Sequence, residues 1–183
     1  MDRIETARVI LRPFRDADAA DVYDYAKDPR VGPAAGWPPH RDEAESLEII
    51  RTVFAAPGVA AVELKETGRL IGSVGFTDTH YGVLTEPDDE IGYALHPEYW
   101  GRGLIPEAVR AVMEYGFTEM GLQTIWCCHY QGNLKSRRVI EKCGFRYRYC
   151  AQADVKLLHE KRLCLHYALT KEEWERGILS GAL

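Results

Sequence analysis

The chain has 183 residues, of which 46% are apolar and 28% are charged, and its formal net charge is −5. That length suits one domain with a sizeable core, and the composition is typical of a soluble globular protein. The negative charge argues against a general nucleic-acid-binding protein, and no window approaches the roughly 18 apolar residues of a membrane span.

The first residues, MDRIETARVILRPF, lack the layout of a signal peptide, so we expect a cytoplasmic protein. The five cysteines are odd in number and include no C-x-x-C pair. Both facts argue against a disulfide framework and a zinc site, so we expect free thiols and no metal. Cys127 and Cys128 are adjacent, and on a strand they would face opposite sides of the sheet.

The N-terminal part predicts a strand and two helices. Residues 8–14 alternate as a strand does, and Asp16 or Asp18 then caps a helix with one apolar face. Residues 28–40 are dense in proline and glycine and predict a loop. Asp42 then starts a second helix with its own apolar stripe.

The middle of the chain predicts a hairpin, a further strand and a long helix. Two strands, residues 59–66 and 70–81, are joined by the turn TGR. A polar turn leads to the strand EIGYALH, residues 90–96. The strongest periodic signal follows, because apolar residues recur at helical spacing from residue 105 to 120 until Gly121 ends the helix.

The C-terminal part predicts the strand QTIWCCHY, residues 123–130, and a short helix that stops at Gly144. Two strands follow near 146–155 and 161–170, and a last short helix spans 171–177. The predicted order is therefore β-α-α-β-β-β-α-β-α-β-β. This order indicates an α/β or α+β domain with a mixed sheet, and it differs from the regular alternation of a doubly wound fold.

The stretch YWGRGLIPEAV, residues 99–109, places two glycines at the start of the long helix. Backbone N–H groups at such a position bind anions, phosphates in particular. The chain lacks the G-x-x-x-x-G-K-[ST] string of nucleoside-triphosphate-binding loops. A dinucleotide fingerprint, G-x-G-x-x-G, would use Gly101 and Gly103, but Pro106 replaces the third glycine. The next strand also ends without the acidic residue that this fingerprint requires, so a dinucleotide-dependent enzyme is disfavoured.

A second motif, NLKSRRVIEKCGF, follows the next strand at residues 133–145. Asn133 and Ser136 are three residues apart at a helix start, so both can face a cleft where two strands splay. Helix capping alone explains each residue singly. It does not explain why both motifs occur in this order, each after its own strand.

Together these motifs resemble the GCN5-related N-acetyltransferase (GNAT) family over roughly residues 5–170. The family pattern [Q/R]-x-x-G-x-[G/A] aligns with residues 100–105, where Gly103 matches and Trp100 and Ile105 depart from it. The preceding strand and the aromatic-W-G-R-G form resemble the RimJ/RimL-type branch, which acetylates ribosomal-protein N-termini. The resemblance implies one acyl-CoA N-acyltransferase domain over residues 1–183, with a central, strongly twisted mixed sheet flanked by helices.

The resemblance also implies acetyl-CoA as co-substrate and no metal. Its pyrophosphate would lie on the loop, with N–H donors from residues 102–105 and none from Pro106, which has no N–H. Asn133 would hold the pantetheine arm. The residues implied in acetyl-CoA binding are Leu95, His96, Trp100, Gly101, Arg102, Gly103, Leu104, Ile105, Asn133 and Ser136.

Acetyl transfer to an amine requires that the amine lose a proton, and Glu90 is the best candidate for the base, directly or through a water. The alternative is that Glu90 only ends the acidic turn of Glu86, Asp88 and Asp89. His80 and His129 are weaker candidates for the base. The backbone N–H of Leu95 is the expected oxyanion donor. For protonation of the leaving thiolate the resemblance favours Ser136, with Tyr130 or Tyr147 as alternatives.

We expect the acceptor between the loop around Trp37 and the strands that carry Phe76 and Tyr93. Trp37 could equally be a loop anchor packed on the core. The predicted activity is transfer of an acetyl group from acetyl-CoA to a primary amine, on a protein N-terminus or a small molecule. The alternative is a non-catalytic acyl-CoA-binding module of the same fold. Neither a nucleic acid nor a membrane is expected as a partner, and a homodimer through the C-terminal strands is possible.

Overall fold

The computed structural model describes residues 1–181, in which eight strands form one mixed sheet. The strands are β1 (Ile4–Glu5), β2 (Val9–Arg12), β3 (Val59–Leu64), β4 (Leu70–Phe76), β5 (Asp88–Leu95), β6 (Thr124–Tyr130), β7 (Arg146–Val155) and β8 (Glu160–Thr170). They lie in the order β1-β2-β3-β4-β5-β6-β8-β7, and each neighbouring pair is antiparallel except β5 and β6. The predicted α+β fold with a mixed sheet flanked by helices is confirmed.

The helices are α1 (Ala19–Ala26), α2 (Gly32–Ala35), α3 (Glu43–Thr52), α4 (Leu104–Thr118), α5 (Leu134–Lys142) and α6 (Lys171–Leu179). Helices α1 and α3 pack on one face of the sheet, through Tyr25 and Ile50 among others. Helices α4 and α5 pack on the other face, where Val109 and Ile140 join the main core. We call these the α1 face and the α4 face. No helix in the described part of the chain has the length and apolarity to cross a membrane.

Three local predictions need correction. Residues 28–40 are not a loop throughout, because they include helix α2. Neither of the two acids predicted to cap α1 does so through its side chain. The carboxylate of Asp18 instead accepts two hydrogen bonds of 2.8 Å from the buried guanidinium of Arg12, which competes for the same oxygens. The second strand of the hairpin ends at Phe76, five residues earlier than predicted.

The parallel strands β5 and β6 pair at three positions: Asp88 with Thr124, Asp89 with Ile125, and Glu90 with Trp126. Beyond these pairs the two strands separate, although β5 stays paired with β4 to Leu95 and β6 stays paired with β8 to Tyr130. The sheet therefore splits between residues 91–95 and residues 127–130, and we call this gap the β5–β6 opening. The predicted splay of two strands is confirmed.

Helix α4 approaches the sheet closely at Gly116. A Cβ atom at this position would lie 2.6 Å from Cζ of Phe76 and 3.1 Å from Cδ1 of Ile125. Phe76 is 3% exposed, so neighbouring side chains hold its ring in place. The bare backbone at position 116 therefore sets the distance between α4 and the sheet, and with it the position of the helix N-terminus.

We expect Gly116→Ala to lower the free energy of unfolding by about 1 kcal/mol, measured by urea denaturation. Alanine gains about 1 kcal/mol of helix propensity over glycine, but overpacking a dense core costs roughly 1–3 kcal/mol. Glu114→Ala, on the exposed side of the same helix, is the control and should change stability by less than about 0.5 kcal/mol. A more stable Gly116→Ala variant would mean that close packing at this point does not fix α4.

Candidate active site

The backbone N–H and C=O groups of successive β5 residues point alternately toward β4 and toward the β5–β6 opening. The carbonyl of Glu90 accepts from Thr77 at 2.9 Å, and the N–H of His96 donates to Ile71 at 2.8 Å. In an antiparallel pair the residues between such bonded positions direct their N–H groups to the other side. The N–H of Leu95 therefore points into the opening, where the sequence analysis expected an oxyanion donor.

Trp100 lies against this end of β5. Its indole Nε1 donates to the carbonyl of Leu95 at 2.8 Å, and its backbone N–H donates to Pro97 at 3.2 Å. The ammonium of Lys135, in the first turn of α5, lies 3.6 Å from the centroid of the Trp100 ring. The Trp100 side chain thus joins the two sides of the opening, while its backbone N–H is already bonded within the protein.

Residues 101–105 form the turn that opens α4. Gly101 and Gly103 both have φ of +77°, a left-handed conformation that glycine adopts without strain. Within residues 1–181 the N–H groups of residues 102–105 donate to no acceptor, and Pro106 has none to donate. Four free N–H groups at a helix N-terminus, where the macrodipole is positive, can bind a pyrophosphate.

A carboxylate in the first turn of α4 ties this turn to the N-terminal strands. Glu107 accepts from the hydroxyl of Thr6 at 2.6 Å, and from Nε and the backbone N–H of Arg8 at 2.7 Å each. Arg8 also donates to the carbonyl of Arg102 at 2.8 Å. Burial pushes the pKa of Glu107 upward, but the bonds from Thr6 and Arg8 bring it below its usual value. No sequence motif predicts this contact, and its one sequence signal is an acidic residue in a first helical turn.

Asn133 caps α5 and reaches across to α2. Its Oδ1 accepts from the N–H of Ser136 at 3.1 Å, and its Nδ2 donates to the carbonyl of Ala34 at 3.2 Å. The capping interpretation of Asn133 is therefore correct as far as its oxygen is concerned. The amide nitrogen has a second hydrogen, which can donate a hydrogen bond to a ligand.

Ser136 and Tyr93 face each other from opposite sides of the opening. Their hydroxyl oxygens are 2.8 Å apart, and the Tyr93 hydroxyl also lies 3.3 Å from the Ser136 carbonyl. Burial raises the pKa of Tyr93 well above its usual value, so its hydroxyl remains protonated. Tyr93 thus contacts the serine expected to protonate the thiolate.

Glu90 lies on the α1 face, at the last paired position before the opening. Its Oε1 accepts from Sγ of Cys128 at 3.0 Å, and its Oε2 binds the hydroxyl of Tyr81. Glu90 is half-buried, so it is not merely a solvated end of the acidic turn. As predicted, Cys127 and Cys128 face opposite sides, because Cys127 is in the core on the α4 face.

The other candidates for proton transfer are placed less favourably. His80 is on the surface beside Asp78, and His129 is buried against the hydroxyl of Tyr167 at 3.4 Å. Tyr147 is 53% exposed on β7, the edge strand. Tyr130 is half-buried and lies at the end of β6, under the guanidinium of Arg162.

Two residues expected near the acceptor lie on the face of the sheet opposite to Glu90. Phe76 is buried on the α4 face, opposite to Glu90, because it pairs with Ile91 and packs against Gly116. Tyr93 shares that face and contacts Ser136, as described above. Neither side chain lies on the α1 face with Glu90, so we do not carry them into the acceptor site.

Trp37 follows one of its two interpretations, whereas His96 lies differently from expectation. Trp37 packs on the α1-face core and next to Gly32, which agrees with its alternative interpretation as a loop anchor. The N–H of His96 is bonded to β4, and its ring lies 3.3 Å from Asp24. The backbone N–H of His96 is therefore not free to bind acetyl-CoA. Successive residues of a strand direct their N–H groups to opposite sides, and His96 directly follows Leu95.

Comparison with known proteins connects this geometry to one family. The family model described as "Acetyltransferase (GNAT) domain" matches residues 8–146. The uncharacterized N-acetyltransferase YoaA of Bacillus subtilis is 32% identical over 149 residues, which cover 78% of this chain and 82% of YoaA. The putative ribosomal N-acetyltransferase YdaF of the same organism is 36% identical over 86 residues, 47% of each chain.

Comparison with a solved structure supports the same family. The acetyltransferase (GNAT family) from Bacillus anthracis superposes with a TM-score of 0.83 at 27% identity, covering 94% of this chain and all of its own. The residues matched by the family model include strand β5, the glycine turn and helix α4. The chain therefore belongs to the GNAT family of N-acetyltransferases.

Proposed function

We propose that this protein transfers an acetyl group from acetyl-CoA directly to a primary amine through the β5–β6 opening. The observation that carries the proposal is that the N–H of Leu95, the hydroxyl of Ser136 and the carboxylate of Glu90 border one gap in the sheet. The free N–H groups of residues 102–105 lie in the turn that follows β5. A thioester in the opening would thus be accessible from both faces of the sheet.

The residues fit acetyl-CoA as substrate. The glycine turn and the N-terminus of α4 would hold the pyrophosphate, and Asn133 and the free N–H of Leu95 would bind the pantetheine arm and thioester. Trp100 would line the β5–β6 opening with its side chain. The carboxylate of Glu107 would keep the turn in place through Arg8 without facing the phosphates itself.

The two faces of the sheet supply different groups for catalysis. Glu90 takes a proton from the acceptor ammonium on the α1 face, and the neutral amine attacks the thioester carbonyl. The N–H of Leu95 stabilises the oxyanion. The C–S bond breaks, Ser136 on the α4 face donates a proton to the leaving thiolate, and the second proton that the attacking nitrogen loses returns through water to Ser136, while Glu90 releases its proton to solvent. The products are the acetylated amine and free coenzyme A.

The basicity of the candidate amines and one relative support a protein N-terminus as the acceptor. An α-amino group has a pKa of about 8 and a lysine about 10.4, so a carboxylate base deprotonates the former more readily. The similarity to YdaF, described as a putative ribosomal N-acetyltransferase, supports a protein N-terminus as acceptor and the RimJ/RimL-type branch. A cytoplasmic location and a homodimer through the C-terminal strands remain predictions.

Acetyl-CoA binding should depend on charge at position 103. A Cβ there would lie 3.4 Å from Nη2 of Arg8, and the left-handed backbone, which asparagine and aspartate tolerate better than most residues, strains both variants alike. We expect micromolar binding of acetyl-CoA to the unmodified protein by calorimetry, and a loss of at least about a hundredfold in Gly103→Asp, because a carboxylate repels the pyrophosphate. Gly103→Asn has the same shape without the charge and should lose much less. Equal losses in both variants would place the pyrophosphate elsewhere.

Turnover should depend on Glu90 and Ser136. Release of free thiol from acetyl-CoA, assayed with peptide and small amines, should fall roughly 10²–10⁴-fold in Glu90→Gln, because the general base is lost. Ser136→Ala should lose about tenfold, since water can protonate a thiolate in its place. Acetyl-CoA affinity should survive in both variants.

The matched control is Glu86→Gln, which removes an exposed carboxylate from the loop before β5. It should leave turnover unchanged. Full activity in both Glu90→Gln and Ser136→Ala would reject the assigned roles. Acetyl-CoA binding without thiol release for any amine would favour the non-catalytic module.

A further inference from the structure

Both carboxylate oxygens of Glu90 are bonded to neutral donors from two different segments. The hydroxyl of Tyr81, in the loop between β4 and β5, binds Oε2, and the thiol of Cys128 on β6 donates to Oε1 at 3.0 Å. The two donors hold the carboxylate from either side. Its orientation beside the opening is therefore set by two contacts and not by its own rotamer preferences alone.

Other half-buried glutamates of this protein are held by arginines. Glu107 binds Arg8, and Glu173 binds Arg148 at 2.7 Å. In both, burial acts to raise the pKa, and hydrogen bonds bring it below its usual value, first from the Thr6 hydroxyl to Glu107 and from the Thr170 N–H to Glu173, and then from the arginines. A cationic partner of this kind stabilises a carboxylate but makes it a weaker base. Neutral donors orient a carboxylate with a smaller loss of basicity.

Within residues 1–181 the Glu90 carboxylate forms no ion pair with a lysine or arginine, and its hydrogen bonds come from Tyr81 and Cys128. The titratable groups around it are Tyr81 from the loop, Cys128 and Tyr130 from β6, Tyr149 from β7, and Cys164 and His166 from β8. Asp88 and Asp89 precede Glu90 on its own strand. The hydrogen bond with Cys164 raises the pKa of His166, so this imidazole and the acceptor ammonium are the two groups near Glu90 that can carry a positive charge.

The surrounding structure fixes Tyr81 in its place. Its ring packs on Trp126 with centroids 4.6 Å apart and meets the edge of His166 at 5.5 Å. Its backbone N–H donates at 2.9 Å to Oδ2 of Asp88, which also accepts from Nε1 of Trp126 at 2.9 Å. The Tyr81 hydroxyl is therefore directed at Glu90 before any substrate binds.

We propose that Tyr81 and Cys128 are positioning residues that hold the carboxylate of Glu90 toward the acceptor amine. The proposal rests on the proposed function, because it assumes that Glu90 is the base. Neither residue gives up its proton in the reaction. Each only orients the group that receives one.

Both donors stay protonated at the pH values where the enzyme would work. Burial, followed by the charge of Glu90, raises the pKa of Tyr81. The hydrogen bond with Cys164, followed by burial and by Glu90, raises the pKa of Cys128. A donor to an ionised carboxylate favours its charged form, so removing one donor lets the carboxylate take up its proton at higher pH.

The test is the pH dependence of kcat/KM in Tyr81→Phe, which keeps the ring packing on Trp126. We expect its acid limb to move upward by roughly half to one pH unit, with acetyl-CoA affinity unchanged. Tyr149→Phe is the matched control, because Tyr149 stacks on His166 at 4.6 Å in the same cluster without a hydrogen bond to Glu90. Its profile should not move. A uniform loss at every pH in Tyr81→Phe, with the limb in place, would overturn the proposal.

Cys128 provides a rescue experiment. Cys128→Ala removes the donor and should move the acid limb in the same direction, whereas Cys128→Ser supplies a hydroxyl donor and should restore it. Equal profiles for the alanine and serine variants would remove Cys128 from the proposal.

A readout that needs no turnover separates this proposal from the proposed function. Carbon-13 NMR of labelled glutamate carboxyls, with the Glu90 signal assigned by Glu90→Gln, follows its titration without substrate. The midpoint should rise in Tyr81→Phe and stay in Tyr149→Phe. A midpoint unchanged in Tyr81→Phe would overturn the positioning role, whereas a wild-type protein that acetylates no amine would reject the proposed function instead.

Discussion

The parallel pairing of β5 with β6 at three residue pairs is the constraint on which the site depends. Each strand keeps an antiparallel partner on its outer side, so both remain extended where they separate. Buried backbone groups normally pair, and a sheet that stops pairing leaves polar groups for a ligand to satisfy. The free N–H of Leu95 is such a group, and the carbonyl of the same residue is already bonded by Trp100.

The separation of the strands also explains how the faces of the sheet divide the chemistry. Side chains alternate along a strand, so neighbouring residues of β5 reach opposite faces. Glu90 lies on the α1 face with Cys128, whereas Tyr93 lies on the α4 face with Ser136. A gap in the sheet is where groups from both faces can approach one bond, which suits a reaction that needs a base on one side and an acid on the other.

The helices, the strands and the glycine turn could be predicted from the sequence, but the face of the sheet on which each side chain lies could not be predicted throughout. The glycine turn, the long helix and the capping role of Asn133 are local features, so residues 99–136 were predictable. Phe76 was misplaced because period-two alternation shows which residues share a face without showing which face binds the acceptor. The contact between Thr6 and Glu107 spans 101 residues, and no local pattern encodes a hydrogen bond at that separation.

The proline-rich segment around α2 bears on how an acceptor reaches Glu90. Arg162 donates to the carbonyl of Pro33 at 2.5 Å, and Asn133 donates to that of Ala34 at 3.2 Å, so β8 and α5 both hold this segment. At its other end Trp37 packs on the α1-face core. A segment fixed at both ends forms a wall and not a mobile lid, because opening it would break several bonds at once. We expect acceptor selectivity to depend on this wall and on the loop that carries Tyr81, whose hydroxyl binds the Glu90 carboxylate.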